Sequence, residues 1–311
     1  MDVLSDLLHR ARARTSVAHQ LIRRPPWSLT YADAPPLAVV ATLGGHASIR
    51  FEDATPVRLA AGDLALVRGT GRYTVADDPA TPPEVEIRAG RKYFLGGTDV
   101  VRANQELAPR SYGDGLPGAT VLLRGSYELH GDVAERLLEM LPPLAVVPAG
   151  PRTRAALDLL AAEVALDEPG QDAVLGRLLD LVLVLALRAW CADAETALPS
   201  WYGALADPAI GAALRLLHAD PAHPWTVAGL AAKAGMSRAA FSARFTGRVG
   251  EPPLTYLTGW RMALGADLLR DTEATVAAVA REVGYENAFA FSVAFKRVRG
   301  VSPSTWRRDQ D

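Results

Sequence analysis

The sequence predicts a two-domain α+β protein. A sheet-rich N-terminal barrel with a helical linker precedes an all-α C-terminal domain that carries two helix-turn-helix motifs. Three observations predict this. Short strand-like segments separated by glycine turns fill 37–75, two helical patterns lie between 153 and 190, and one helical unit occurs twice in the last hundred residues. With 311 residues the chain has room for about two domains of 100–200 residues each. The expected boundaries are 1–150 for the barrel, 151–206 for a helical dimerisation and linker segment, and 207–311 for the helix-turn-helix domain.

The elements follow in order. The first residues, Met1 to Leu8, lack the basic stretch and apolar core of a signal peptide. Leu4, Leu7, Leu8 and Ala11 fall at i, i+3, i+4 and i+7, the stripe of an amphipathic helix. Leu37 to Leu43 is apolar and turns at Gly44-Gly45; Ala47 to Phe51 alternates; Val57 to Leu59 leads through Gly62-Asp63 into Leu64 to Val67. Strands at this spacing suggest a small barrel or sandwich. Thr120 to Tyr127 and Leu144 to Val147 read as later strands, with a short helix from Asp132 to Met140 between them. Thr153 to Leu166 and Gln171 to Trp190 have helical periodicity, interrupted by Asp167-Glu168-Pro169-Gly170. Between Leu178 and Leu187 the second helix is apolar nearly all round, so it needs partners on two sides. The same helix of a second subunit is the expected outer partner, giving a homodimer. Asp193 to Asp207 reads as the interdomain linker.

Composition narrows the function classes. The single cysteine, Cys191, excludes an intrachain disulfide framework and a cysteine zinc site. The longest apolar run, Leu181 to Leu187, is far shorter than the roughly 20 residues of a membrane span, so a cytoplasmic protein with no membrane partner is expected. Net charge is −2 overall but −5 over 1–206 and +3 over 207–311, which points to a polyanionic partner for the tail alone.

The tail repeats. Thr226-Val227, Leu230, Ala231, Ala234 and Gly235 recur 49 residues later as Thr275-Val276, Val279, Ala280, Val283 and Gly284. Phe241, Phe245, Gly250 and Pro253 recur at an offset of 50 as Phe291, Phe295, Gly300 and Pro303. Each threonine can cap a helix by accepting a first-turn amide, and each following glycine suits the left-handed residue that stops it. Ser237 and Asn287 then cap second helices, whose inner faces are Phe241 with Phe245, and Phe291 with Phe295 and Val298. Two helices joined by a glycine turn of three or four residues form a helix-turn-helix. Leu257, Trp260, Leu264 and Leu268 suit a buried helix joining the copies. Arg238, Arg244, Arg248, Lys296, Arg297, Arg299, Arg307 and Arg308 lie on or beside the second helices, where they could pair with phosphates. Double-stranded DNA is the expected partner.

Residues 207–308 resemble the C-terminal domain of AraC/XylS-type transcriptional regulators. Gly284-Tyr285, the paired Phe291 and Phe295, Phe295-Lys296-Arg297 and Gly300-Val301-Ser302-Pro303 carry the likeness. The resemblance implies two reading helices in successive major-groove segments about one turn apart, roughly 34–36 Å, and activation more often than repression. By analogy Ala239, Ser242 and Ala243 of one copy, and Ala288, Phe289, Ser292 and Val293 of the other, face the groove. Family members often carry arginine where this chain has Ala243 and Val293. Small and apolar residues can touch a thymine methyl but cannot make bidentate bonds to guanine. Direct readout is therefore expected to be thin, with Arg238 and Arg244 as the polar readers. The full candidate set is Ser237, Arg238, Ala239, Ser242, Arg244, Arg248, Asn287, Phe289, Ser292, Lys296 and Arg297.

The first half resembles the cupin-type sensing domain of one branch of the same family, through Leu59 to Val67, Asp77-Asp78-Pro79 and Leu122 to Tyr127. Metal-dependent cupins use a His-x-His pair with a glutamate and a later histidine. His9, His19, His46, His130, His218 and His223 form no such pair, so neither a metal nor a cofactor is expected. A barrel interior is still a natural pocket. Arg50, Arg68, Arg72 and Tyr73 are the candidate effector-binding residues, and the arginines would suit an anion. The reading is an effector-responsive, non-enzymatic regulator. The alternatives are a cupin-like isomerase or oxygenase with a helical tail, or a constitutive DNA-binding protein without an effector.

Overall fold

The computed structural model describes residues 3–10, 14–96, 105–115, 117–192 and 200–309. The chain divides into two compact units: one of Ala13–Leu129 with Leu141–Thr196, the other of Met1–Arg12, His130–Met140 and Ala197–Asp311. The segment 1–150, expected as one domain, thus contributes to both. No helix among the described residues is long and apolar enough to cross a membrane.

The first unit is built on two sheets. Its described strands are β1 (Arg14–Arg23), β2 (Ser28–Tyr31), β3 (Leu37–Gly44), β4 (Ala47–Phe51), β5 (Val57–Leu59), β6 (Leu64–Arg68), β7 (Tyr73–Ala76), β8 (Val85–Arg88), β9 (Arg91–Phe94), β10 (Glu106–Ala108), β11 (Ser111–Gly113), β12 (Thr120–Glu128) and β13 (Leu144–Val147). One sheet runs β10-β11-β1-β12-β3-β6-β13 and the other β5-β4-β7-β2-β8-β9. The unbroken apolar run of β3 has a physical cause, since a strand covered on both faces has no reason to alternate. Ala38 and Val40 turn inward to meet Ile49, Tyr73 and Val75 in the core between the sheets. Leu37, Val39 and Ala41 are equally buried on the opposite face.

Helices Pro151–Val164 and Gln171–Ala192 pack in this unit. The Tyr127 hydroxyl donates to the Leu179 carbonyl at 2.6 Å. At Gly125 the second helix comes so close that a Cβ would lie 2.3 Å from Leu179 Cδ2. That helix is not covered all round. Val174 is 42% and Leu181 44% exposed, and Leu178 and Leu185 on the same stripe are half-buried.

The second unit is helical: Val3–Arg10, Asp132–Leu138, Ser200–Gly203, Pro208–Ala219, Val227–Lys233, Arg238–Val249, Pro253–Asp271, Val276–Glu282, Ala288–Arg299 and Pro303–Arg308. Its core joins Phe241, Phe245, Phe291, Phe295 and Trp260, all fully buried, with Val3 and Leu7 of the first helix and Val133. Three expectations change here. Val298 is 46% exposed, and buried Ala294 completes the inner face with Phe291 and Phe295, because the covered part of the stripe stops before the last turn of the helix, where Val298 sits. The short helix ends at Leu138 rather than Met140. Of the expected linker, 193–199 lies outside the described residues. Ser200–Gly203 and the 3₁₀ turn Ala204–Ala206 pack in the helical unit, with Ala204 in its core. Ala11, the last residue of the predicted first stripe, also lies outside them.

Candidate nucleic-acid interface

The repeat builds two helix-turn-helix motifs with the same local chemistry. Thr226 accepts the Gly229 amide at 3.0 Å and Thr275 the Ala278 amide at 3.2 Å. The chain reverses at Gly235 (φ +66°) and Gly284 (φ +87°), in the left-handed region where glycine is favoured. Ser237 then accepts the Ala240 amide at 3.2 Å and Asn287 the Ala290 amide at 2.9 Å, starting the reading helices Arg238–Val249 and Ala288–Arg299. Both run on to a glycine C-cap, Gly250 and Gly300. The connecting helix Pro253–Asp271 is buried on several sides at once, through Tyr256, Leu257, Trp260, Met262, Ala263, Ala266 and Leu269.

The cations divide into two groups. Arg238, Arg248, Lys296 and Arg297 are exposed on the reading helices, and Arg308 is exposed beyond them. Others are held by the protein itself. Arg244 Nε lies 2.8 Å from Asp207, whose carboxylate also accepts the Ala209 and Ile210 amides at 3.1 and 3.2 Å as the cap of helix Pro208–Ala219. Arg248 reaches the same carboxylate at 3.7 Å. Burial opposes the charge on Asp207, but Arg244 and the two amides outweigh it and hold the carboxyl below its ordinary range. Arg299 pairs with Asp132, and Arg307 donates to the backbone carbonyls of Leu269, at 3.0 Å, and Ala274. The structure therefore places Arg244, an expected base reader, as a brace between its reading helix and the capped end of helix Pro208–Ala219. Nothing in the sequence links it to Asp207, 37 residues away.

The groove-facing positions inferred by analogy lie on the outer side. Ala239 and Ala243 are exposed and Ser242 half-buried. In the second copy Phe289 is 80% and Val293 55% exposed. Ser292 donates to the Ala288 carbonyl at 2.7 Å, so its hydroxyl proton is used within the helix.

The sheet unit holds a second arrangement, which departs from the sequence expectation. Tyr73 faces the interior, stacked on Tyr31 at 5.0 Å. Arg50 pairs with Thr74 across β4 and β7, and so points to the opposite face from Tyr73. There it donates to the Pro79 carbonyl at 2.8 Å. Arg72 holds Glu86 through both Nη atoms at 3.1 and 3.2 Å. Three of the four candidates, Arg50, Arg72 and Tyr73, nevertheless border one cleft of about 270 Å³ together with Glu52 and Thr74. Arg68 ends β6 on the face of Leu64 and Leu66, away from the inward Ala65 and Val67. Period-two geometry thus keeps all three arginines out of the interior.

The cation that reaches Tyr73 and Tyr31 is Arg124. Its Nε donates to the Tyr73 hydroxyl at 3.2 Å and its guanidinium lies 4.1 Å from the centre of the Tyr31 ring. His19 is its direct cross-strand partner. Tyr112 lies 5.9 Å from His19, and Lys92 sits 3.7 Å from the Tyr112 ring centre. Part of the His19 surface is open to solvent. Even so, partial enclosure, and then the charges of Arg124, Lys92 and Arg110, push its pKa down to about 4, so the ring is neutral at pH 7. Two carboxylates lie at the margin: Glu106 near Lys92, and Asp172, which takes Arg110 at 2.9 Å. The sequence does carry a signal for Arg124. It follows the apolar run Val121-Leu122-Leu123 and lies two residues from inward-facing Leu122, hence on the same face. Among the described residues no three His, Cys, Asp or Glu side chains converge as ligands of a metal ion would.

The family models and the sequence relatives agree with this architecture. The Cupin family model matches residues 2–192, and a helix-turn-helix domain model matches 230–309. A putative AraC-like transcription regulator of Streptomyces antibioticus is 35% identical, the match covering 99% of each chain. The HTH-type transcriptional regulator AlkR of Acinetobacter baylyi is 29% identical, again over 99% of each chain. Among solved structures, the C-terminal domain of AraT, a response regulator from Geobacillus stearothermophilus, is 30% identical. That match covers 33% of this chain and 86% of the other, with a TM-score of 0.32.

Proposed function

Because the chain belongs to the AraC-like transcription regulators, with a cupin domain ahead of a helix-turn-helix DNA-binding domain, we propose that its two capped reading helices dock in successive major-groove segments of one duplex face. The observation that carries this is the paired geometry: two helices with the same caps and phenylalanine anchors, each with exposed cations. In this reading Arg238, Arg248, Lys296 and Arg297 meet phosphates, and Ser237 and Asn287 present first-turn amides. Ala239, Ser242, Phe289 and Ser292 lie against base edges, while Arg244 acts indirectly by positioning its helix. The protein works in the cytoplasm and catalyses no reaction.

The test uses the full chain, since a fragment from Asp207 onward would expose the core that Val3, Leu7 and Val133 cover. Gel-shift titration against mixed-sequence duplex is expected to show binding that weakens steeply from 50 to 200 mM salt. Absence of binding at low salt would overturn the reading.

Effector response rests on the Arg124 cup. A guanidinium held between two tyrosines, with Lys92 and a neutral imidazole nearby, fits a small anion carrying an aromatic or apolar body. An anion beside His19 would favour its charged form, so binding should take up a proton and tighten as pH falls from 7 towards 5. Thermal shift against small aromatic carboxylates checks this, because a ligand of the native state raises stability. Arg124→Ala is expected to abolish the shift. We also read the Val174, Leu178, Leu181, Leu185 stripe as a homodimer interface, since it leaves apolar surface unpartnered along one helix face. Sedimentation of Leu181→Glu, Leu185→Glu should give half the wild-type mass.

A further inference from the structure

The second reading helix offers a chemistry unlike that of an ordinary hydrogen-bonding reader. Phe289, Val293, Lys296 and Arg297 fall at i, i+4, i+7 and i+8, a single stripe. It lies away from the buried Phe291, Ala294 and Phe295. The phenyl ring is 80% exposed and the isopropyl group 55%. Two large apolar side chains one turn apart, followed by two cations, are held out from a helix whose other side is fully packed. On the first two turns the Ser292 hydroxyl already donates to the Ala288 carbonyl, which leaves it only acceptor lone pairs toward a base edge. At the corresponding positions the first reading helix carries only Ala239, Ala243, Thr246 and Gly247.

In the major groove the base edges of unmodified DNA carry one apolar group, the C5-methyl of thymine. Lys296 and Arg297, on the same stripe, would fix the helix to phosphates without reading sequence. We propose that the second helix reads thymine by its methyl group, through Phe289 and Val293, and that the half-site it faces carries thymines at the positions opposite these two residues. This rests on the DNA-binding reading above. The first helix offers only the single methyl groups of Ala239 and Ala243 at these positions, a smaller contact with a thymine methyl.

The probe is a library of duplexes with a random central stretch, from which the full chain retains its preferred sequence at 50 mM salt. That duplex is then remade with deoxyuridine replacing thymine one position at a time, which deletes only the methyl group. Losing one buried methyl corresponds to a roughly fourfold weaker binding. A fourfold loss is expected at one or two thymines of one half-site, and little change elsewhere. Phe289→Ser with Val293→Ser should keep the wild-type melting temperature and bind the thymine and uracil duplexes equally. Uracil tolerated at every position, or a selected half-site read through guanine, would overturn the proposal while leaving DNA binding intact. Failure to retain any duplex would overturn both, and would point to a protein surface as the target of this stripe.

Discussion

The two helix-turn-helix copies share a scaffold and differ in the face they present. Each has a threonine cap, a left-handed glycine, a second cap and two buried phenylalanines. Each reading helix is also braced by arginine on a buried aspartate outside the copy, Arg244 with the more distant Arg248 on Asp207, and Arg299 on Asp132. These braces occupy different positions in the two helices, so they are not part of the repeat. The outer faces diverge most: Ala239 and Ala243 in the first copy stand where the second has Phe289 and Val293, while Ser242 and Ser292 correspond. What forms the fold is therefore duplicated, and what meets a partner is specific to each copy.

The largest expected effects test the shared scaffold. Phe241→Ala and Phe291→Ala should each cost about 3–5 kcal/mol, because both rings are fully buried. Urea denaturation checks this, and unequal costs would show that one copy carries more of the core. Next come the braces. Asp207→Ala removes both a helix cap and the partner of Arg244 and should cost about 2 kcal/mol. Arg244→Ala should cost less, since the carboxylate keeps its two amide donors and the arginine is 46% exposed. The reverse order would mean that Arg244 has a larger role than bracing.

Acid should separate the copies. His218 stacks on Trp260 at 4.3 Å, contacts the Tyr256 hydroxyl at 2.7 Å and lies 3.2 Å from Asp6, while Tyr256 packs edge-on against Phe245 of the first copy. Burial holds the His218 ring below the ordinary imidazole range despite Asp6. Burial works against the charge of Asp6, but bonds from His218 and Arg10 outweigh it and keep its carboxyl below the usual carboxylate range. Both groups bind protons more weakly in the folded state than in the unfolded chain. As pH falls below about 6.5 the unfolded chain takes up protons first and stability declines. Asp267, whose carboxyl burial pushes up to about 6, acts in the opposite sense over the same range, so the measurement is the fall in melting temperature between pH 7 and pH 4 of the wild type relative to His218→Gln. Amide exchange should accelerate in Arg238–Val249 before Ala288–Arg299, and His218→Gln should lessen the early part of the fall.

The scaffold was legible in the sequence because helix caps, glycine stops and buried phenylalanines are set by residues within a few positions of one another. The strands β3, β4, β5, β6, β12 and β13 were legible for the same reason. Strand β1 was not, since Arg14, Thr15, Ser16, His19 and Gln20 hide its alternation, and its neighbour β11 pairs Ser111 with Gln20 across the fold. The cluster around Arg124 joins β12 to β1, β2, β7, β9 and β11, so although period two turns Arg124 inward, only the tertiary arrangement reveals its neighbours. The arginines at 50, 68 and 72 suggested an anion site, but their register turns them outward.

The smallest expected effect on stability is also the most discriminating. Phe289→Ser and Val293→Ser replace side chains that are 80% and 55% exposed and belong to no core cluster. Substitutions at such surface positions stay within about 0.5 kcal/mol, so the melting curve should barely move. Lys296→Ala, equally exposed, should also leave stability alone but lower the salt dependence of DNA binding by about one counterion, alike for every sequence. If the second copy reads bases through its apolar stripe, the two kinds of variant part company in the binding assay. Loss of the cation weakens all duplexes equally, whereas loss of the stripe removes preference and leaves the salt slope unchanged. A stripe variant that behaved like Lys296→Ala would mean that the second helix only grips the backbone, and that any base reading falls to Arg238 and Ser242 of the first copy.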